Sequence, residues 1–196
     1  NEMFQDNIIK IWSDSYYFGL AQINPMAGNL ESNSKKIVRY IQKGINLGLK
    51  AIIFPEFALT GTNMIQTTEK FPFLLNETKK YLEAIATYTQ NCTVFIGYIN
   101  SKFKSCIAVI ENGNIIKEIE QGELCKITIS GVDCEVFVGD KYENIDIKKL
   151  LNEPTKILID YFLEGICKQD MVQRACSISY CYFLHSLYSF RFCCMW

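Results

Sequence analysis

One histidine, His185, stands in this chain, and a single histidine cannot assemble a metal cluster. It lies in an apolar C-terminal run and reads as a core or surface residue. The nine cysteines include no C-x-x-C pair, and their number is odd and their spacing irregular. That argues against both a zinc site and a disulfide framework. No apolar run approaches the roughly 20 residues of a membrane-spanning helix, and no signal-peptide pattern opens the chain. Basic residues form no block: 20 lysines and arginines face 21 acidic residues, for a net charge of −1. Neither a nucleic-acid footprint nor an anionic membrane partner is expected. No glycine-rich phosphate loop follows the first strong strand, Tyr16–Ile23, which weighs against a nucleotide-binding α/β domain. The expectation is a soluble, cytoplasmic protein with no cofactor and no metal.

What the chain does have is a globular composition. Hydrophobic residues make up 49% and charged residues 21% of its 196 positions, enough for one domain with a sizeable core. Its organising stretch is Lys50-Ala-Ile-Ile-Phe-Pro-Glu56-Phe-Ala-Leu-Thr-Gly61. Ala51–Phe54 is a short run of β-branched and aromatic residues that Pro55 ends, the pattern of a strand buried on both faces. Glu56 sits where that strand emerges. Desolvation disfavours the charge of a carboxylate in such a place and moves it towards a general base. The same residue also reads as a strand cap, or as the partner of a lysine at the rim.

Around that stretch the chain reads in order. Residues Asn1 to Asp14 form an N-terminal arm, with residues 15–196 as a single domain. A helix is expected over Asn33–Leu47, with Ile37, Ile41 and Ile45 on its buried face and Gly48 ending it. Strand, helix and strand in about 40 residues imply two parallel strands, Tyr16–Ile23 and Ala51–Phe54. A second helix is expected over Asn76–Gln90, capped by Asn76 and burying Leu82, Ile85 and Tyr88. The Thr93–Tyr98 strand precedes two hairpins: Cys106–Ile110 with Ile115–Ile119 around Asn112-Gly113, and Leu124–Ile129 with Cys134–Val138 around Ser130-Gly131. Then come a short helix (Ile145–Leu151), a strand (Lys156–Ile159), a last helix (Ile166–Ser179) and a strand over Ser179–Leu187. Cys176–Trp196 carries one charge, Arg191, and ends without a polar terminator, as a truncated or frame-shifted end would.

The residues Leu20-Ala-Gln-Ile-Asn-Pro25, Gly28-Asn-Leu30, Asn33 and Phe54-Pro-Glu56-Phe-Ala-Leu-Thr-Gly61 resemble the opening of the nitrilase superfamily of carbon–nitrogen hydrolases. The Ala-Gln-Ile-Asn-Pro form is similar to the glutamine-hydrolysing domain of glutamine-dependent NAD synthetases. The likeness continues by pattern through Thr93–Tyr98, the Asn-Gly hairpin and Val132–Gly139. It implies an α/β fold, the nitrilase-like α-β-β-α sandwich, here C-terminally incomplete. It also implies a homo-oligomer, such as a dimer joined through the sheet-flanking helices.

The resemblance carries a chemistry of three residues: a glutamate base, a lysine that balances the tetrahedral intermediate, and a cysteine nucleophile. Glu56 matches the base. Gln121 stands where the lysine belongs, and the loop that follows it in the family is missing; Lys117 and Lys126 lie in strands and do not fit the motif. Gly131-Val-Asp-Cys-Glu-Val-Phe-Val138 matches the strand before the nucleophile, which puts Gly139 in the nucleophile's place and leaves Cys134 to core packing. The Ser-Gly-Gly-x-Asp-Ser loop of an ATP-pyrophosphatase domain does not occur. The functional expectation is a glutaminase-like or amidase-like domain whose substrate would be a small amide such as glutamine, inactive as it stands. The alternatives are a non-catalytic oligomer subunit or binding module, or a decayed gene product.

Overall fold

Strands that are apolar on both faces must be covered on both, and that requirement sets the layers of this chain. Every residue of Ala51–Ile53 (β3) and Thr93–Ile99 (β4) is buried. They lie at the centre of a six-stranded sheet completed by Asn7–Ser13 (β1), Tyr16–Gln22 (β2), Ser105–Glu111 (β5) and Asn114–Glu120 (β6), in the order β1-β2-β3-β4-β5-β6. The computed structural model describes residues 7–13, 16–139, 157–164, 176–183 and 189–193.

β2, β3 and β4 are parallel, with Phe18 opposite Ala51 and Ala51 opposite Thr93. Parallel neighbours need crossovers. The first is the helix Leu30–Asn46 (α1); the second passes through a short helix, Ile65–Lys70 (α2), and then Phe73–Ala86 (α3). α1 starts earlier than Asn33 because the Asn29 side chain accepts the Ser32 N–H at 3.0 Å and caps it. It ends at Asn46 with Leu47 as its cap, and Gly48 just beyond has φ +74°, which suits a residue without Cβ. α3 begins behind Pro72, pre-set at φ −60°. Asn76 therefore lies inside this helix and does not cap it. The helix stops at Ala86, which leaves the expected core residue Tyr88 exposed while Leu82 and Ile85 are buried.

The two hairpins turn where expected. Asn112 (φ +48°) with Gly113 (+83°), and Ser130 (+49°) with Gly131 (+79°), give paired left-handed residues that match the twist of the flanking strands. They do not share a sheet. Leu124–Ile129 (β7) and Val132–Gly139 (β8) open a second, five-stranded sheet with Ile157–Glu164 (β9), Cys176–Phe183 (β10) and Ser189–Cys193 (β11), ordered β11-β10-β9-β8-β7. β8 and β9 are parallel and the other pairs antiparallel.

Two readings change here. Asn7–Ser13, within the stretch read as an arm, is β1 and pairs antiparallel with β2 from Asn7↔Gln22 to Ser13↔Tyr16. Cys176–Ser179, read as the end of a helix, opens β10; the alternation Cys-Ser-Ile-Ser-Tyr has the period of a strand, not of a helix. The helix at Ile145–Leu151 and residues 166–175 of the last one lie outside the described residues.

Each face of the first sheet has its own core. Ile52, Val94, Ile96, Ala108 and Ile110 pack under Ile37 and Ile41 of α1 and Leu82 and Ile85 of α3. Phe18, Leu20, Ile53, Phe95, Ile107 and Val109 meet Ile129, Cys134, Val136 and Val138 of the second sheet. A fully buried isoleucine contributes about 2 kcal/mol. Among the described residues the layers are thus helix, sheet, sheet, as in the expected α/β sandwich. No described helix is long and apolar enough to cross a membrane.

Candidate active site

Glu56 leaves β3 at its C-terminal end, where Pro55 stops the ladder. The segment is held tightly. Phe54 N–H donates to the Phe95 carbonyl at 2.9 Å and Leu59 N–H to the Gly97 carbonyl at 3.0 Å, so the chain lies across β4. Gly97 makes that crossing possible: a Cβ there would stand 2.4 Å from Phe57 N, 2.5 Å from Pro55 O and 2.7 Å from Glu56 Cα. Phe57, the residue after Glu56, has φ +56° and is buried. A bulky side chain in the left-handed region costs about 1–3 kcal/mol and persists only where its surroundings fix it. Here Gly61 N–H donates to the Phe57 carbonyl at 2.7 Å, closing the turn.

From the other side, Asn33 of α1 clamps the same turn. Its side-chain amide donates to the Leu59 carbonyl at 2.9 Å and the Met26 carbonyl at 2.8 Å, and its oxygen accepts the Met26 N–H at 2.7 Å.

The Glu56 side chain is 4% exposed, and the Ser105 hydroxyl at the start of β5 donates to its Oε1. Ser105 leads on to the two other positions singled out. Gln121 N–H donates to the Ser105 carbonyl at 2.9 Å, and the next N–H, Gly122, donates to the Val138 carbonyl at 2.5 Å, one residue before Gly139. Glu56, Ser105, Gln121 and the end of β8 are therefore joined by successive hydrogen bonds, although they come from both sheets. Gln121 follows β6, whose last residue, Glu120, takes Lys102 (3.0 Å), Lys104 (3.3 Å) and Asn100 (2.9 Å). The Lys102 hydrogen bond holds the Glu120 carboxyl below the usual range, with Lys104 and Asn100 adding to it.

The lysines weighed as substitutes lie elsewhere. Lys117 is exposed and pairs in register with Val109, about 13 Å along β5 from Ser105 at the usual rise per residue. Lys126 reaches Glu135, its cross-strand partner, at 3.3 Å. Cys134 lies in the inter-sheet core, about 16 Å along β8 from Gly139. Burial, with Asp133 adding to it, pushes its thiol up to about 12. It stays protonated at neutral pH, and a thiol is a poor nucleophile. Among the described residues no group of histidine, cysteine, aspartate or glutamate could hold a metal ion. A groove of about 520 Å³ between the Met26–Glu31 turn and the α3 residues Leu74, Glu77 and Tyr81 does not include Glu56.

Sequence reasoning missed Ser105, Gly97 and the left-handed Phe57. Two signals were available. Gly97 interrupts a strand of otherwise large residues, a mark of close backbone approach. Ser105 is a polar residue on the same side of β5 as Ile107 and Val109.

Over 101 residues, 50% of this chain, the sequence is 34% identical to a glutamine-dependent NAD(+) synthetase of Thermotoga maritima, and spans 17% of that protein. A glutamine-dependent NAD+ synthetase from Acinetobacter baumannii superposes with a TM-score of 0.61 at 14% identity, over 85% of this chain and 41% of that one. An amidase of the nitrilase superfamily from Nesterenkonia AN1 gives 0.62 at 10% identity, over 87% and 84%. No protein-family model matches. The fold is like that of these solved enzymes, and the sequence likeness is to the Thermotoga maritima protein over half of this chain.

Proposed function

We propose that this chain is a nitrilase-fold protein of the glutaminase-domain type that keeps the carboxylate base, Glu56, and has lost the nucleophile and the lysine. On this reading it holds a small amide such as glutamine without hydrolysing it. The observation that carries the reading is the end of β8. Its backbone comes beside Gly122, next to Gln121, and the residue there is Gly139, which offers no side chain to attack a carbonyl. Amide hydrolysis through a covalent intermediate needs a nucleophile within hydrogen-bond reach of its base. Cys134 does not meet that requirement, being buried in the inter-sheet core as a protonated thiol. Neither lysine weighed as a substitute takes the cation's place, since Lys126 sits on Glu135 and Lys117 lies far along β6.

What remains can still bind. A fixed carboxylate accepts hydrogen bonds from the NH2 group of a primary amide, and Ser105 keeps it in one orientation. The proposal extends to a cytoplasmic homo-oligomer, a dimer, which light scattering tests.

The experiment is ammonia release from glutamine, asparagine and short aliphatic amides by the purified chain and by Glu56→Gln. Both should stay at background, while glutamine perturbs the spectrum of the parent and not that of Glu56→Gln. Ammonia released by the parent and abolished by Glu56→Gln would overturn the reading.

A further inference from the structure

Ser105 is 1% exposed and stands on the side of β5 that carries Ile107 and Val109, both packed between the sheets. A hydroxyl on such a face costs free energy unless it has a partner. Packing alone does not call for a serine there, because alanine, valine or isoleucine would fill the inter-sheet layer without a polar atom. The partner of Ser105 is Glu56, 49 positions away in sequence.

We infer that Ser105 is the positioning residue of the Glu56 carboxylate, holding one carboxylate oxygen through its hydroxyl so that the side chain keeps a single direction at the C-terminal rim of the parallel strands. Three features support this. The Glu56 backbone cannot drift, because it lies over Gly97 and its successor Phe57 sits in a left-handed turn. With the backbone fixed, what remains is the side-chain torsions, and the Ser105 donor at the carboxylate end restricts them. Ser105 is itself immobilised: its carbonyl accepts Gln121 N–H at 2.9 Å, and it pairs with Ile99 across β4. The donor is thus anchored to both strands that border the site. The carboxylate can take only a hydrogen in this contact, so the hydroxyl is the donor. A donor to a carboxylate favours its charged form.

This inference rests on reading Glu56 as the retained base, but its test does not depend on any amide being bound or cleaved. The test is the pH titration of the Glu56 side-chain carboxyl by carbon NMR, in selectively labelled, ligand-free protein. The parent is compared with Ser105→Ala, Ser105→Thr and Ser105→Cys. Losing one hydrogen bond to a charged group should move the Glu56 midpoint upwards by about one pH unit or more in Ser105→Ala. Ser105→Thr, which keeps the hydroxyl, should restore it. Ser105→Cys, close in size and with a weaker donor, should fall between, and it serves if Ser105→Ala does not fold. A merely structural serine would let all folded variants titrate alike, and that result would overturn the inference. Equal shifts in Ser105→Ala and Ser105→Thr would overturn it too. Loss of glutamine binding with the titration pattern as expected would count against the proposed function and leave Ser105 in its role.

Discussion

Asn33 donates its side-chain amide to the carbonyl of Leu59 across 2.9 Å. The first helix and the turn that presents Glu56 are joined by that contact. Asn33 is 1% exposed and its bond to the Leu59 carbonyl is buried, so water cannot replace that bond if the side chain goes. The exposed Met26 can turn to water instead. Asn33→Ala strands the buried carbonyl of Leu59 and loosens Met26, and should lower stability by about 2 kcal/mol. A urea titration checks this. A loss within a few tenths of a kilocalorie would show that the clamp adds nothing.

Gly97→Ala should be worse than its size suggests. The new methyl would meet Phe57 N at 2.4 Å, a backbone atom that cannot rotate away. The turn must lift off β4, at about 3 kcal/mol, towards the upper end of overpacking costs. Glu56 would move with it. Thermal unfolding gives the energy, and the Glu56–Ser105 contact in a crystal of the variant gives the displacement.

The parallel core is legible in the sequence, and much of what surrounds it is not. β2, α1 and β3 were legible because apolar periodicity changes from strand to helix and back within one crossover, and Gly48 marks the end. Both hairpin turns were legible from their residue pairs. β1 was not: Ile8, Ile9, Ile11 and Trp12 become a strand only by pairing with β2, a non-local event. The hairpins' division between two sheets was equally hidden, since three residues, Gln121 to Glu123, look like any turn. At the site, Glu56 was visible beside its strand. Ser105 was not, because its meaning comes from a residue 49 positions away.

Alkaline stability follows from the buried thiols. Burial pushes Cys92 and Cys134 up to about 12 and Cys106 to about 11, from 9.0. A raised folded-state value means that the contribution is fully present below pH 9 and is lost as pH rises through 11 and 12. Each thiol adds at most about 1.4 kcal/mol per pH unit to the slope. Cys134→Val should flatten the stability curve in that window by one such contribution. A slope identical to the parent's would mean that Cys134 does not hold its proton in the folded state.

Labelling offers a separate test of the same thiols. Cys92, Cys106 and Cys134 are buried, whereas Cys125 is partly exposed on β7. With iodoacetamide at neutral pH, peptide mapping should find Cys125 modified early and these three only after denaturant is added. Rapid modification of Cys134 in the native chain would reopen it as a nucleophile.

On the proposed reading, amide hydrolysis should take more than one residue to install. Gly139→Cys alone should remain at background for ammonia release, because the thiol would lack the cation that steadies the oxyanion. Gly139→Cys with Gln121→Lys should recover little. Residues that act as a unit lose most of the rate together, typically by several orders of magnitude. Turnover by Gly139→Cys alone would mean that some other cation already serves the site.

The link between the sheets has a mechanical meaning. β6 ends at Glu120 and β7 begins at Leu124, so three residues are all that separate a strand of one sheet from a strand of the other. Such a strap has almost no slack, and it passes beside Ser105 on one side and Val138 on the other. Sliding one sheet over its neighbour by even an ångström would shear the hydrogen bonds at Gln121 and Gly122 before it disturbed either hairpin. The place where Gly122 meets the end of β8 is therefore a gauge of how well the two sheets are seated. A small cavity cut at Ile107 or Val136, buried between the sheets, should register there first.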